Sequence, residues 1–251
     1  MEAESIGLNR LYDDLAHLWP LVSPPEEYAE EAGFWLATLR DLLGPGRHRV
    51  LELGSGGGHN LSHLTADFEA TAVDASEGML AHSRRLNPSV THNVGDMRNV
   101  RLGEKFAAVL IHDAISYMLS EADLRAAIAT AAAHLGPGGV LVMAPDHFHD
   151  SFQGPVVDHR THSAEGVQLT YFDYSYDPDP TDTTMETLYS YFILRGSRLR
   201  IEHDRHITGL FPRSTWVRLI TEAGFSFEER SHHLIEEDAD YPLLIGRLPV
   251  S

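Results

Sequence analysis

The sequence predicts a doubly wound α/β fold: a mostly parallel seven-stranded sheet with helices on both faces, and an antiparallel β insertion after the fifth strand. Three observations carry that expectation. The stretch VLELGSGGGHN, residues 50–60, places four glycines in the five positions 54–58, directly behind a short apolar strand. Strand-like and helix-like runs then alternate five times over about 100 residues, as they do where parallel strands are joined by covering helices. After Pro145 the pattern changes to β-branched and aromatic runs broken by polar turns, which reads as an antiparallel meander.

Taken in order, Ser23 followed by Pro24, Pro25 and Glu26 has capping-box spacing with proline near the first helical position. Tyr28, Ala32, Trp35, Leu36, Leu39 and Leu43 continue it at helical period, and Gly44-Pro45-Gly46 stops it. Residues 50–53 are a buried strand, and the next helix starts near His59. Residues 70–73 are a second strand, ending at Asp74. Ser76 caps a helix through Met79, Leu80 and Ser83 to Arg85, and Pro88 ends it. Residues 91–94, 106–111 (FAAVLI) and 140–144 are three more strands. An alanine-rich helix at 121–135 is closed by GPGG. In the insertion, 167–176, 185–194 and 198–208 read as strands, with the polar turn DPDPTDT at 177–183. A last helix at 214–223 is stopped by Gly224, and 225–230 and 243–248 are two closing strands. EEDAD, 236–240, reads as a solvated loop.

Composition narrows the function. Nineteen Lys and Arg stand against 37 Asp and Glu, a formal net charge of −18 with a single lysine, Lys105. Nucleic-acid binders neutralise phosphates with Lys and Arg, so a nucleic-acid partner is not expected; small neutral or cationic substrates suit this charge better. No run of about 18 uncharged apolar residues exists, so no membrane span is expected. The start, MEAESIGLNRLYDDL, lacks the basic flank and apolar core of a secretory signal, and a cytoplasmic location is the default. The chain has no cysteine, which excludes disulfides, thiolate metal sites and cysteine nucleophiles.

A glycine loop after the first parallel strand lies at the carboxyl edge of the sheet, where ligands of open α/β folds bind. Bare backbone lets a ligand approach closely, and the following helix offers free N–H groups. The dinucleotide fingerprint G-x-G-x-x-G fails, because the sixth position from Gly54 is His59. What stands here is acid-x-Gly-x-Gly-Gly-Gly, from Glu52 to Gly58. Asp74 ends the second strand, VGDM (94–97) follows the third, FAAVLIHD is the fourth, and LGPGGVLVM leads into the fifth.

On these motifs the chain resembles the class I S-adenosylmethionine-dependent methyltransferases, over nearly its whole length. The resemblance implies a Rossmann-like methyltransferase fold with a reversed last strand. It implies S-adenosylmethionine as cofactor, with Gly54, Ser55 and Gly56 under the methionine portion and Glu52 reaching its ammonium. Asp74 would hold the ribose hydroxyls, or only cap the next helix. Ala75 and Met79 would flank adenine, Asp96 would accept from its amino group or only cap a turn, and Met97 would contact its ring. The backbone carbonyl of His112 would accept from the ligand's ammonium. LYDDL (11–15), YAEEA (28–32), GDMRNVRLGEKFAAV (95–109) and the meander resemble more narrowly the small-molecule branch that includes amino-sugar N-methyltransferases. There an N-terminal segment folds over the cofactor; Tyr12 and Tyr28 match its contacting tyrosines, with core packing the other reading of both. The histidine that branch carries shortly after its fourth strand is replaced here by Met118.

The division implied is a helical cap at 1–46 and a cofactor-binding core at 47–146 and 209–251. The insertion at 147–208 would cover the substrate side, form a homodimer surface, or both. The reaction implied is methyl transfer to a nitrogen or oxygen of a small-molecule acceptor. Candidates for a base at the carboxyl edge are His112, Asp113, Tyr117, His147 and His149. Sixteen histidines raise a metal reading, but His59 and His63 lack the glutamate of H-E-x-x-H and no three ligands stand at a recognised spacing, so no metal is expected. Two alternatives remain: an NAD-dependent oxidoreductase and a non-catalytic S-adenosylmethionine-binding module.

Overall fold

Residues 6–235 and 239–250 are described by the computed structural model. The chain enters through two 3-10 turns (Arg10–Tyr12 and Ala16–Leu18), the short helix α1 (Trp19–Val22), another 3-10 turn (Pro25–Tyr28) and the long helix α2 (Ala29–Leu43). The alternation follows as expected: β1 (Arg49–Leu53), α3 (His59–Ser62), β2 (Glu69–Asp74), α4 (Glu77–Leu86), β3 (Thr91–Val94), β4 (Phe106–Ile111), α5 (Glu121–Ala133) and β5 (Leu135–Met143). Four antiparallel strands come next: β6 (Val156–Ala164), β7 (Val167–Tyr176), β8 (Thr184–Arg195) and β9 (Arg198–Gly209). Helix α6 (Arg213–Glu222) and the hairpin β10 (Ser226–Leu234) with β11 (Ala239–Arg247) close the chain.

The main sheet has seven strands in the order β10-β11-β5-β4-β1-β2-β3, and β6 to β9 form a second sheet in chain order. β1 to β5 pair parallel, while β11 pairs antiparallel with β5. The two faces of β1 explain both layers. Val50 points into a cluster with Trp35 and Leu39 of α2, and Leu51 points the other way, into a cluster with Leu124 and Ile128 of α5 and Trp216 of α6. Period-two alternation in a strand buried on both sides gives an all-apolar run. Each fully buried Leu contributes about 1.5–3 kcal/mol. A third cluster joins Leu11, Leu15, Leu18 and Val22 to Leu169, Tyr191 and Ile193 of the second sheet. The N-terminal segment therefore divides: α2 belongs to the core, and only the turns before it lie against the antiparallel sheet.

Several sequence expectations change. Ser23 does not cap α2; it closes α1, and its hydroxyl bonds Tyr28 Oη instead (2.9 Å). Pro25 opens a 3-10 turn that feeds α2. The helix expected from His59 is a single turn. GPGG does not follow a helix but lies inside β5, whose first residue pairs with Phe106. The strand β6 was not expected, because this edge strand is exposed on most positions and shows no apolar alternation. Of EEDAD, residues 236–238 lie outside the described residues, and Ala239 and Asp240 open β11. Ser76 does cap α4, accepting from Met79 N (3.2 Å). Among the described residues no helix is long and apolar enough to cross a membrane.

Candidate cofactor and acceptor site

A cavity of about 760 Å³ opens at the carboxyl ends of β1, β2 and β4, where the strand order turns back on itself. That is the place and size of a small-molecule site. Its floor is the glycine loop after β1. Gly54 N and Ser55 N both donate to Val73 O of β2 (2.8 and 3.0 Å), and Gly56 N donates to Asp74 Oδ2 (2.8 Å). Gly56 has φ +52°, a backbone conformation that favours glycine, and lines the cavity. At Gly57 a Cβ would stand 2.3 Å from the Trp19 indole, so glycine there lets the N-terminal segment close across the loop.

The cavity wall contains Tyr12, Tyr28, Glu52, Gly54, Ser55, Gly56, Asp74, Ala75, Asp96, Met97, His112, Asp113 and Tyr117 of the sequence-expected residues. Two lie elsewhere. Met79 is fully buried below the loop, with its methyl near Gly56, because α4 turns that side chain into the core. His147 is outside the wall, its ring 5.2 Å from Phe152. His149 is exposed, its backbone N–H on Phe211 O.

Burial leaves a set of polar atoms without protein partners. Glu52 Oε2, Ser55 Oγ, His59 Nδ1, both amide atoms of Asn60 and Trp19 Nε1 have none among the described residues, and all belong to residues lining the cavity. Buried polar atoms are rarely left unpaired, so the wall is built for a ligand with its own donors and acceptors. Burial pushes the Glu52 carboxyl up to about 7, and a cation beside it would reverse that. Burial also lowers His59 to about 4, so this ring is neutral. The residues fit S-adenosylmethionine: Glu52 for its ammonium, Asn60 and Trp19 as donors to its carboxylate, the bare loop beneath its chain.

Asp74 does two jobs locally. Its Oδ1 accepts from Ser76 N (2.8 Å) while Oδ2 holds the glycine loop. Burial raises its pKa against those bonds. Asp96 is bound by Arg98, whose guanidinium donates to both carboxylate oxygens and holds its pKa down. Its Oδ1 also accepts from Arg98 N, so it caps a turn at the same time. His112 is buried and tied on both sides: Nε2 lies 2.8 Å from Glu31 and from Tyr241 Oη, and Nδ1 lies 3.0 Å from Asp113. Burial alone would lower its pKa, but the Asp113 and Glu31 carboxylates raise it well above the usual value. An imidazolium held this way has no lone pair to act as a base. Asp146 lies outside the cavity wall after β5; the protein around it, and next Asp113, push its carboxyl well up.

Tyr12 is anchored over the cavity. Its backbone carbonyl accepts from Ser76 Oγ (2.5 Å), and its hydroxyl accepts from Tyr117 (2.9 Å). Tyr28 stands edge-on to His59 at 5.6 Å. Trp19, Asn60, Arg98 and Glu31 are site residues that sequence reading missed. Only Asn60 carried a signal, two residues beyond the glycine loop.

Comparison with known proteins agrees with this geometry. Residues 50–139 match a family described as a methyltransferase domain. The chain is 33% identical over 205 residues to a dTDP-3-amino-3,4,6-trideoxy-α-D-glucopyranose N,N-dimethyltransferase of Streptomyces venezuelae, covering 81% of this chain and 85% of that one. Its fold superposes on the crystal structure of DesVI from the same organism with a TM-score of 0.79, at 28% identity, covering 94% and 96% of the two chains. It also superposes on the S-adenosylmethionine-bound structure of CalS10, an amino pentose methyltransferase from Micromonospora echinaspora, with a TM-score of 0.77, at 22% identity, covering 98% and 99%. The family match and the Streptomyces venezuelae relative thus exclude the nicotinamide reading. The chain belongs to the class I S-adenosylmethionine-dependent methyltransferases, as an enzyme that transfers a methyl group to a small-molecule acceptor.

Proposed function

We propose that the acceptor is a primary amine on a small nucleotide-linked sugar, methylated on nitrogen. The carrying observation is the acidic lining of the site, with Asp13 and Asp113 on the cavity wall. Carboxylates on the wall of a cleft attract a cationic amine. The relative named above acts on an amino sugar, which supports the same class here.

S-adenosylmethionine supplies an electrophilic methyl group on a positively charged sulfur. The residues of this chain contribute placement. Glu52, Asp74 and the loop 54–58 fix the cofactor end, and the Tyr12–Tyr117 pair fixes the side of the cleft facing the acceptor. Alignment of two bound reactants alone supplies about 7–11 kcal/mol of the barrier in favourable cases. The second sheet then covers the acceptor. Its outer face exposes Phe172, Tyr174, Leu199 and Ile201, which supports packing against a second copy; light scattering reports a dimer if so and a 27.9 kDa monomer if not.

The test is direct. Purified enzyme, S-adenosylmethionine and dTDP-3-amino-3,4,6-trideoxy-α-D-glucopyranose are mixed and followed by mass spectrometry, beside the analogue bearing a hydroxyl in place of the amine. Methyl addition to the amino sugar alone supports the reading; methylation of the hydroxyl analogue, or of neither, overturns it.

A further inference from the structure

The imidazole absent from position 118 has a counterpart on another element. His206 of β9 is buried and lies with Nδ1 2.6 Å from Tyr117 Oη, and with Nε2 2.9 Å from Asp204 Oδ2. Tyr117 donates in turn to Tyr12 Oη at 2.9 Å, and both tyrosines line the cavity. Asp204 is fully buried and also accepts from the backbone N–H of Arg10 and Leu11 (2.8 and 2.7 Å). The strand is pressed onto the turn that carries Tyr117: a Cβ at Gly209 would stand 2.2 Å from Met118 O. Four side chains from three separate parts of the chain are thus joined in one unbroken line from the cleft to a buried carboxylate.

We propose that Asp204, His206, Tyr117 and Tyr12 form a proton-transfer chain that carries the acceptor's proton out of the methyl-transfer cleft, with His206 as the terminal base. This rests on the amine reading given above. The nitrogen lone pair forms the N–CH3 bond as the C–S bond breaks, and that electron pair stays on sulfur. The product ammonium gives its N–H proton to Tyr12 Oη as Tyr12 passes its own proton to Tyr117. Tyr117 passes its proton to His206 Nδ1. The imidazolium so formed faces the Asp204 carboxylate, which keeps its charge.

The hydrogen-bond order supports two states. In the structure Tyr117 donates to Tyr12, the order that goes with Nδ1–H donating to Tyr117, which is the loaded state of the chain. With Nδ1 bare, both hydroxyls turn round and the chain is ready to receive. Titratable groups face His206 from each element packed on it: Asp204 on its own strand, Tyr189 of β8 at 4.8 Å between ring centroids, Tyr12 at 5.3 Å and Tyr117 at 5.9 Å. The His206–Asp204 pair is the site on this line suited to hold a proton. A secondary amine must be freed of its proton before it can attack again, so the chain matters most for a second methylation.

Tyr117→Phe and His206→Gln break the line at single atoms. With full-length enzyme and dTDP-3-amino-3,4,6-trideoxy-α-D-glucopyranose, each variant is expected to lose about 100-fold in kcat. The monomethyl product should accumulate, the acid limb of the kcat profile should vanish, and in His206→Gln, whose side chain lies outside the cavity wall, S-adenosylhomocysteine affinity should stay within about twofold. Variants that keep the wild-type rate and pH profile overturn the chain. Should wild-type enzyme leave this sugar unmethylated, the acceptor reading fails on its own, and 15N-histidine NMR decides the chain without turnover. There the His206 Nδ1 resonance, assigned by its loss in His206→Gln, is expected to move in Tyr117→Phe, which removes its hydroxyl partner; an unmoved resonance overturns the proposal.

Discussion

Asp74 Oδ2 accepts a hydrogen bond from Gly56 N at 2.8 Å: the acid that ends β2 holds the glycine loop that follows β1. The same carboxylate starts α4 through Ser76 N. It therefore shapes the cofactor floor before any ligand touches it. Hydrogen bonds to a charged group contribute about 1.5–3 kcal/mol each. Asp74→Ala is expected to weaken S-adenosylhomocysteine binding at least about 100-fold by calorimetry, whereas Asp74→Asn, which keeps one acceptor oxygen, should lose less. Equal losses would show that only contact with the ligand matters.

Glu52 exchanges stability for function. Its pKa is raised from 4.5 to about 7 by burial. The folded state binds more protons than the unfolded state between those values, so stability falls as pH rises from about 4.5 to 7. The full penalty, about 3 kcal/mol at 1.36 kcal/mol per pKa unit, is present above that window. Glu52→Gln removes it. The ligand-free variant is expected to melt higher than wild type at pH 8, with the difference vanishing near pH 4, by scanning calorimetry. A variant less stable at pH 8 would contradict the assignment.

His112 gives the matching cation. Its pKa is raised well above 6.5 by Asp113 and Glu31, against burial. A raised histidine contributes stability that is present below the unfolded value and lost as pH climbs through the folded one. Glu31→Gln removes one of the two carboxylates, so the loss of stability with rising pH should begin at lower pH than in wild type. Denaturant melts from pH 6 to 9 read this shift, and coincident curves would refute the ion pair.

Trp19 lies over the loop at Gly57 and stacks on His59 with ring centroids 5.6 Å apart. An aromatic pair adds about 0.5–1.5 kcal/mol beyond burial. Trp19→Ala is expected to weaken S-adenosylhomocysteine roughly tenfold, with Trp19→Phe intermediate, since the indole N–H is lost but the ring is kept. Unchanged affinity in both would remove Trp19 from the site.

The legible parts of the molecule were local. Glu52, Gly54, Gly56 and Asp74 announce themselves because strand, loop and helix start must follow each other within about 25 residues of one βαβ unit. The family resemblance placed Tyr12, and its position after the fourth strand placed Asp113. What stayed hidden depends on pairing across the chain. Asp204 bonds the backbone of Arg10, 194 residues away, and His206 bonds Tyr117, 89 residues away. Nothing in a strand reading RLRIEHDRHITG tells which of its charged residues faces inward. β6 was missed for the same reason in reverse, since an exposed edge strand needs no apolar pattern. Met79 misled because helical phase at α4, rather than distance from Asp74, decides which side chain meets the cavity.

The central claim is that a buried Glu52, its Oε2 unpartnered, beside a bare glycine loop grips the cationic end of S-adenosylmethionine. Calorimetric titration of the full chain with S-adenosylhomocysteine at pH 6 and pH 8, in buffers of differing ionisation heat, tests it most directly. The expected result is one-to-one binding, tighter at pH 8, with protons released to the buffer at pH 6 as the ligand's ammonium draws the carboxyl into its charged form. Binding of equal strength and no proton release at either pH, or no binding at all, would contradict it.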